Sequence, residues 1–361
     1  MPPRIGFVGL CAGVGGADSM MLAFLRETSF YSAGIALEQR PSHDQLRVAS
    51  QILKKNATLH LHPTNSLSHD GFEVKTHHTF LDAASEVYRQ SDVIIAWGLN
   101  CSDLLDGLPR KPLVLWVQNE DSWAAGVSQR LAPYATLIVA VSQSCRKLAV
   151  PEEYRHRTSV IYNAADLTRC TPGMPRSKMR RILGVGEQGK LLLYAGRMVK
   201  EKNTHTIALA IDHLPPEWHL LFVGSGSEKN TTLSIAQGTR AGQEGRVKFI
   251  AHVSNIGDVL NASDVFILPS DFEGDPVAVH EAAICGVPVV ASNLNSIREQ
   301  EEKLGRLVWT LPEITGKAIA DQVQKATPHD PRVRRAREVS WHIFQTARMT
   351  RQLEDVLLNA M

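Results

Sequence analysis

Residues Ser270 to Ser292 read SDFEGDPVAVHEAAICGVPVVAS. Just upstream, Val265-Phe-Ile-Leu-Pro269 is an apolar run of strand length. Asp275 is a candidate N-cap, and Pro276 suits the first helical position. Gly286 predicts the helix stop, and Val287-Pro-Val-Val-Ala291 the next strand. The stretch is a strand–loop–helix–strand unit, with Glu273 in the loop and Glu281 eight residues later on the helix. Side chains on a helix lean toward its N-terminus, which turns Glu281 back to the loop of Glu273. Such a loop offers free backbone N–H groups to an anion and two carboxylates to hydroxyls. A ligand with phosphate at its middle and sugars at both ends suits it. The bland alternative is a surface helix with two solvated acids.

Working outward, the same alternation recurs. Ile5 to Leu10, Asp92 to Ala96, Leu113 to Val117 and Leu137 to Val141 are strand candidates in the first half. Leu191 to Ala195, His219 to Val223, Val247 to Ile250, Val265 to Leu268 and Val287 to Ala291 are their counterparts in the second. Helical patterns over Ser19 to Arg26, Thr204 to Ile211 and Val277 to Cys285 fill gaps between them. Alternating β and α elements predict parallel sheets flanked by helices. In such sheets ligands sit beyond the carboxyl ends of the strands. Arg197 and Lys202 emerge there, after Leu191-Leu-Leu-Tyr-Ala-Gly196. A guanidinium grips two phosphate oxygens, and an ammonium adds a compact charge, so the pair could neutralise a diphosphate without a metal.

The bulk properties agree with an enzyme of two domains. The chain has 361 residues, 43% hydrophobic and 21% charged, with a net charge of +2. That length exceeds one ordinary core, and the near-neutral charge argues against a nucleic-acid binder. Cysteines 11, 101, 145, 170 and 285 form no CxxC pair, which points to reduced thiols and a cytoplasmic protein. No apolar run has transmembrane length, and MPPRIGFVGL begins a strand with no room for a signal peptide. Between the halves lies a Pro/Gly/Arg-rich stretch whose Arg176, Lys178, Arg180 and Arg181 read as a solvated helix face. The alternative is attachment to anionic headgroups at the inner face of the membrane. Histidines 60, 62, 69, 77 and 78 lack a recognised ligand spacing, so no metal site is expected.

The Glu273-x7-Glu281 pair, with Ser270, Gly274, Pro276, Ala282, Gly286 and Pro288-Val-Val-Ala-Ser292, resembles the signature of glycosyltransferase family 4. Gly196-Arg197 and Lys202 resemble that family's G-R-x-x-x-x-K, and Phe222-Val-Gly-Ser-Gly its Gly-x-Gly turn. The resemblance is specific from Gly196 to Ser292 and loose before Asn163. It implies a GT-B fold: two Rossmann-like domains, 1–165 and 166–337, facing across a cleft, with a C-terminal helix (about 338–361) crossing back to the first. It further implies a retaining, metal-independent glycosyltransferase with a nucleotide-sugar donor and no cofactor. Arg197 and Lys202 should then hold the diphosphate, Glu281 the ribose and Glu273 the transferred sugar. The amides of Gly274, Asp275, Pro276 and Val277 should line the helix start, apart from proline, which has no N–H. The loop ending at Val253 should read the base, although Ala251 stands where glycine is usual.

The first half resembles the family less. Gly13-Val-Gly15-Gly16-Ala-Asp18 is similar to its G-G-x-E loop, which implies a diphosphate-facing role for Gly15 and Gly16. The rival, a dinucleotide fingerprint, lacks the full G-x-G-x-x-G spacing. Gln118 stands where the family places a histidine, and Gln118 and Glu120 are the acceptor-side candidates. Glu120 or Asp121 could act as a base or be a plain loop acid. The acceptor is a glycan, a lipid-linked group or a small molecule. Rival readings are a sugar-nucleotide epimerase or hydrolase of the same fold, and a non-catalytic donor-binding subunit.

Overall fold

The structure, a computed structural model, describes residues 2–9, 16–37, 58–61, 73–97, 110–305 and 307–361. The chain divides into two compact units, 1–163 with 346–361, and 164–345.

The first unit holds β1 (Arg4–Gly9), β2 (Tyr31–Leu37), β3 (Thr58–Leu61), β4 (Glu73–Thr76), β5 (Val93–Trp97), β6 (Leu113–Val117), β7 (Leu137–Ala140) and β8 (Thr158–Val160). They form one sheet in the order β4-β3-β2-β1-β5-β6-β7-β8, every ladder parallel. The central strands β5 and β6 are buried along their whole length, which is why they read as unbroken apolar runs. Strands β3 (TLHL) and β4 (EVKT) lie at one edge and carry no such run, so sequence pattern passes over them.

Helix Thr346–Ala360 completes this unit. Its Met349, Leu353, Val356, Leu357 and Ala360 are buried at helical spacing, and it packs on helix Gly16–Glu27. Glu354 Oε1 accepts from Thr28 Oγ1 at 2.7 Å, Ser29 N at 2.6 Å and Ser29 Oγ at 2.9 Å, which ties the helix in place. The return therefore starts at Thr346 and not near residue 338. Helix Pro331–Ile343 stays with the second unit, where Val333, Ala336 and Ser340 are buried and it packs on helix Val277–Cys285.

The second unit holds β9 (Lys190–Ala195), β10 (Trp218–Val223), β11 (Val247–Ile250), β12 (Val265–Leu268), β13 (Val289–Ser292) and β14 (Val308–Leu311), ordered β11-β10-β9-β12-β13-β14 and again all parallel. The linker cations correct the sequence reading. Arg180 is buried, its Nη1 donating to Ala262 O at 3.0 Å and meeting Asp264 Oδ2 at 3.1 Å. Arg176 meets Asp264 Oδ1 at 2.6 Å and donates to Ser263 O at 2.8 Å. A carboxylate and bare helix-end carbonyls draw both guanidiniums inward, leaving Lys178 and Arg181 exposed. No helix of the described residues is long and apolar enough to cross a membrane.

Candidate functional site

In the second sheet the strand order reverses between β9 and β12, which pair through Val265↔Leu192 and Phe266↔Leu193. Such a reversal leaves a crevice beyond the strand ends, because successive connections leave in opposite directions. The loops that emerge there, 196–203 after β9 and 269–276 after β12, carry Arg197, Lys202 and Glu273. Lys202 Nζ lies 2.7 Å from Glu273 Oε1, with both side chains close to nine-tenths buried. Ser270 Oγ donates to the same oxygen at 2.7 Å. Asn203 ties the loops further, donating from Nδ2 to Pro269 O at 3.0 Å and Asp271 Oδ1 at 2.7 Å. It does so from a left-handed backbone (φ 51°), a conformation its short polar side chain tolerates.

Arg197 stands free of that cluster. Its side chain is 58% exposed, with Glu201 Oε1 4.0 Å away, so its guanidinium is available to a ligand. The backbone beneath is anchored: Tyr194 donates its phenolic proton to Arg197 O at 2.5 Å. Burial, with Glu273 and Glu201 nearby, pushes the Tyr194 phenol well above its ordinary range and keeps it a donor. Met198 N donates to Ser225 O at 2.9 Å, and Gly196 N to Val223 O at 2.9 Å. The Gly-x-Gly turn makes this approach feasible. A Cβ on Gly224 (φ 139°) would lie 1.9 Å from Gly196 O, and one on Gly226 (φ 157°) 2.2 Å from Met198 O. The glycines thus support the Arg197 loop from below.

Helix Val277–Cys285 follows the Glu273 loop and ends at Gly286 (φ 71°), as the glycine predicts. Its N-cap is Pro276, with no side-chain cap bond, so the capping role expected of Asp275 is not what the residue does. The Asp275 side chain is 1% exposed and turned inward, its Oδ1 3.1 Å from His280 Nε2. Gln300 Nε2 donates to the same oxygen at 2.6 Å. The first-turn amides of Val277 and Ala278 are left without intrahelical acceptors, as at any helix start. Glu281 is only partly exposed and makes no hydrogen bond with a described residue. Burial raises its carboxyl pKa, and the Arg169 guanidinium pulls the other way. A desolvated carboxylate with open acceptor positions suits vicinal hydroxyls. Sequence reasoning gave no role to Ser270, Asn203, Arg169, His280 or Gln300. Ser270 and His280 lie within the quoted 270–292 stretch; Arg169 and Gln300 meet the site through tertiary packing.

The remaining candidates are carried by other elements. Val253 follows β11, at the edge of the second sheet. Gly16 opens helix Gly16–Glu27, and Gly15 lies outside the described residues. Gln118 follows β6; its Nε2 is buried with no hydrogen-bond partner among the described residues. Glu120 accepts from Ser144 Oγ, and Asp121 N-caps helix Ser122–Leu131 by accepting from Ala124 N at 2.7 Å. Both acids thus have local structural bonds. Among the described residues no three His, Cys, Asp or Glu side chains cluster as metal ligands. His62 and His69 fall outside those residues.

Comparison with known proteins bears on the same segment. The profile of the family "Glycosyl transferases group 1" matches residues 175–338. An Escherichia coli UDP-Gal:alpha-D-GlcNAc-diphosphoundecaprenol alpha-1,3-galactosyltransferase is 29% identical over 172 residues, 45% of this chain and 44% of that protein. A D-inositol 3-phosphate glycosyltransferase of Xylanimonas cellulosilytica is 30% identical over 39% of this chain and 36% of its own. The chain thus aligns with less than half the length of these curated relatives. Among solved structures, Anabaena HepE in complex with UDP-glucose superposes with a TM-score of 0.78 at 20% identity, covering 99% of this chain and all of that one. WaaG, a glycosyltransferase involved in lipopolysaccharide biosynthesis, gives 0.64 at 14% identity over 98% and 99%. These likenesses show a GT-B type α/β fold with two parallel-sheet units. Arg197, Lys202, Glu273 and Glu281 all fall inside the matched segment, so it is the second unit that carries the likeness to the group 1 glycosyl transferases.

Proposed function

We propose that this protein is a retaining glycosyltransferase that moves a sugar from a nucleotide-sugar donor to an acceptor hydroxyl without a metal ion. The observation that carries the reading is the 2.7 Å Lys202–Glu273 contact joining the two loops of the sheet reversal, beside an exposed Arg197. Arg197, Lys202 and the start of helix Val277–Cys285 bind the diphosphate and stabilise charge as it leaves. Glu281 accepts from the ribose hydroxyls, and Glu273, held by Lys202 and Ser270, receives the hydroxyls of the transferred sugar. The acceptor hydroxyl attacks the anomeric carbon on the face the diphosphate leaves. Its proton passes to the departing phosphate oxygen, so configuration is retained. The UDP and UDP-glucose complexes of HepE and the UDP-galactose relative make uridine donors the first to try. The acceptor is a glycan, lipid-linked or small-molecule hydroxyl.

The epimerase or hydrolase reading needs a free acid/base pair, and Glu120 and Asp121 are both engaged locally. A donor-binding subunit without activity is separated by turnover. The test is a thermal-shift panel of UDP, GDP, ADP and their glucose or mannose conjugates, wild type beside Arg197→Ala/Lys202→Ala, followed by a transfer assay with and without EDTA. One nucleotide should raise the melting temperature in the wild type only, and EDTA should leave turnover unchanged. A folded protein that no nucleotide stabilises overturns the reading.

A further inference from the structure

Directly behind the Glu273 loop lies a polar triad in the interior of the second unit. Asp275 is 4% exposed, and His280 and Gln300 are 0% exposed. His280 Nε2 and Gln300 Nε2 both point at Asp275 Oδ1, at 3.1 and 2.6 Å. Gln300 Nε2 also lies 3.2 Å from His280 Nε2, so the three polar groups meet one another at a single point. Nδ1 of His280 and Oε1 of Gln300 have no partner among the described residues. The His280 ring stacks on Phe344 with centroids 3.7 Å apart, which fixes the plane in which Nε2 points.

Three buried polar side chains with two unmet polar atoms form a costly core. Well-packed apolar residues of similar volume at such positions are often as stable or more so. The benefit is positional. Asp275 is the second residue after Glu273, and Pro276, the N-cap of helix Val277–Cys285, follows it. Because Pro276 supplies no side-chain cap bond, the loop entering the helix takes its anchor from the Asp275 carboxylate. Gln300 comes from the next helix, Asn295–Leu304, and His280 from the same helix one turn on. Together they pin the backbone at residue 275 from two elements.

We propose that Asp275, His280 and Gln300 are positioning residues that hold the Glu273–Pro276 loop against the transferred sugar. None of the three side chains touches the donor. The proposal rests on the donor-site reading above. It makes a division that a general structural role does not. Arg197 and Lys202 reach the diphosphate from the loop after β9, whereas the sugar depends on the loop the triad pins.

The test is calorimetric titration of wild type, His280→Leu, Gln300→Leu and Asp275→Asn with UDP, GDP and ADP and with UDP-glucose, GDP-mannose and ADP-glucose. Circular dichroism and melting curves check folding. The apolar variants should stay folded and bind the nucleoside diphosphate within about 3-fold of wild type, while the extra affinity from the sugar falls about 10-fold or more, the scale of one charge-assisted hydrogen bond. Asp275→Asn keeps an acceptor oxygen and should retain most of that extra affinity. Equal loss of both ligands marks a merely structural triad and overturns the proposal, as does an unchanged sugar contribution. If His280→Leu and Gln300→Leu both unfold, loss of sugar affinity in folded Asp275→Asn equal to its loss of diphosphate affinity has the same meaning. A wild type that binds none of the six overturns the donor reading itself.

Discussion

Glu281 shows how one side chain can be costly to the fold and useful to the site. Burial raises its carboxyl pKa above the ordinary 4.5, and no hydrogen bond from a described residue stabilises its charge. The folded state therefore favours the protonated form. The associated stability is complete below pH 4.5 and is lost as pH rises through the raised value. At neutral pH the ionised carboxylate is a net burden on the empty protein. Glu281→Gln should raise the melting temperature at pH 7, and that gain should disappear as pH falls toward 4.5. The same change should weaken nucleotide binding by roughly 1.5–3 kcal/mol for each charge-assisted bond to ribose. Melting curves across pH with parallel titrations check both signs; a lower melting temperature at pH 7 contradicts the account. The spacing of this residue to Glu273 was legible in the sequence. Its burial was not, and neither were the nearby charges of Arg169 and Asp166, which lie more than a hundred residues away in sequence.

At the scale of elements, the Arg197 loop depends on a neighbour that carries no chemistry. Gly224 and Gly226 let the turn after β10 pass under Gly196 and Met198, where a Cβ would sit 1.9 or 2.2 Å from a backbone carbonyl oxygen. Gly224→Ala should cost about 1–3 kcal/mol from the positive φ, and more from the displaced loop. Diphosphate affinity should fall with it, although neither glycine supplies a ligand group. Urea unfolding beside calorimetry reads both effects; Arg197→Ala should lose affinity while leaving stability nearly intact. The Gly-x-Gly motif was visible in the sequence, but alone it did not distinguish a tight turn from a supporting contact. The partner backbone made that distinction. Local preference likewise makes Asp275 a cap, and buried polar partners on two helices override it.

For the whole molecule, the chain enters its second unit after Asn163 and returns at Thr346. The final helix is thus part of the first unit's core, with Leu353 0% exposed. Leu353→Ala should destabilise that unit by about 2–5 kcal/mol, the usual cost of a buried leucine cavity. Urea unfolding should then show an earlier phase from the first unit, while nucleotide binding by the second persists below that transition. Simultaneous loss of both contradicts the assignment. The crossing point itself was misjudged by several residues in sequence. Periodicity runs on through Trp341 and Phe344, and only burial of Val333, Ala336 and Ser340 in the second unit shows where one helix's allegiance ends.

Sequence by itself determined the alternating parallel architecture, the Glu273–Glu281 helix unit and the two cations after β9. These are local properties: strand-length apolar runs, a glycine at φ 71°, a fixed spacing along one helix. Tertiary structure decided which of those groups meet. Lys202 and Glu273 are seventy-one residues apart in sequence and 2.7 Å apart in space because β9 and β12 pair where the strand order reverses. It also turned Arg176 and Arg180 inward onto Asp264, and Asp275 onto His280 and Gln300. Buried charge takes its partners from whatever the fold brings within hydrogen-bond reach, and that is a property of packing and not of spacing along the chain.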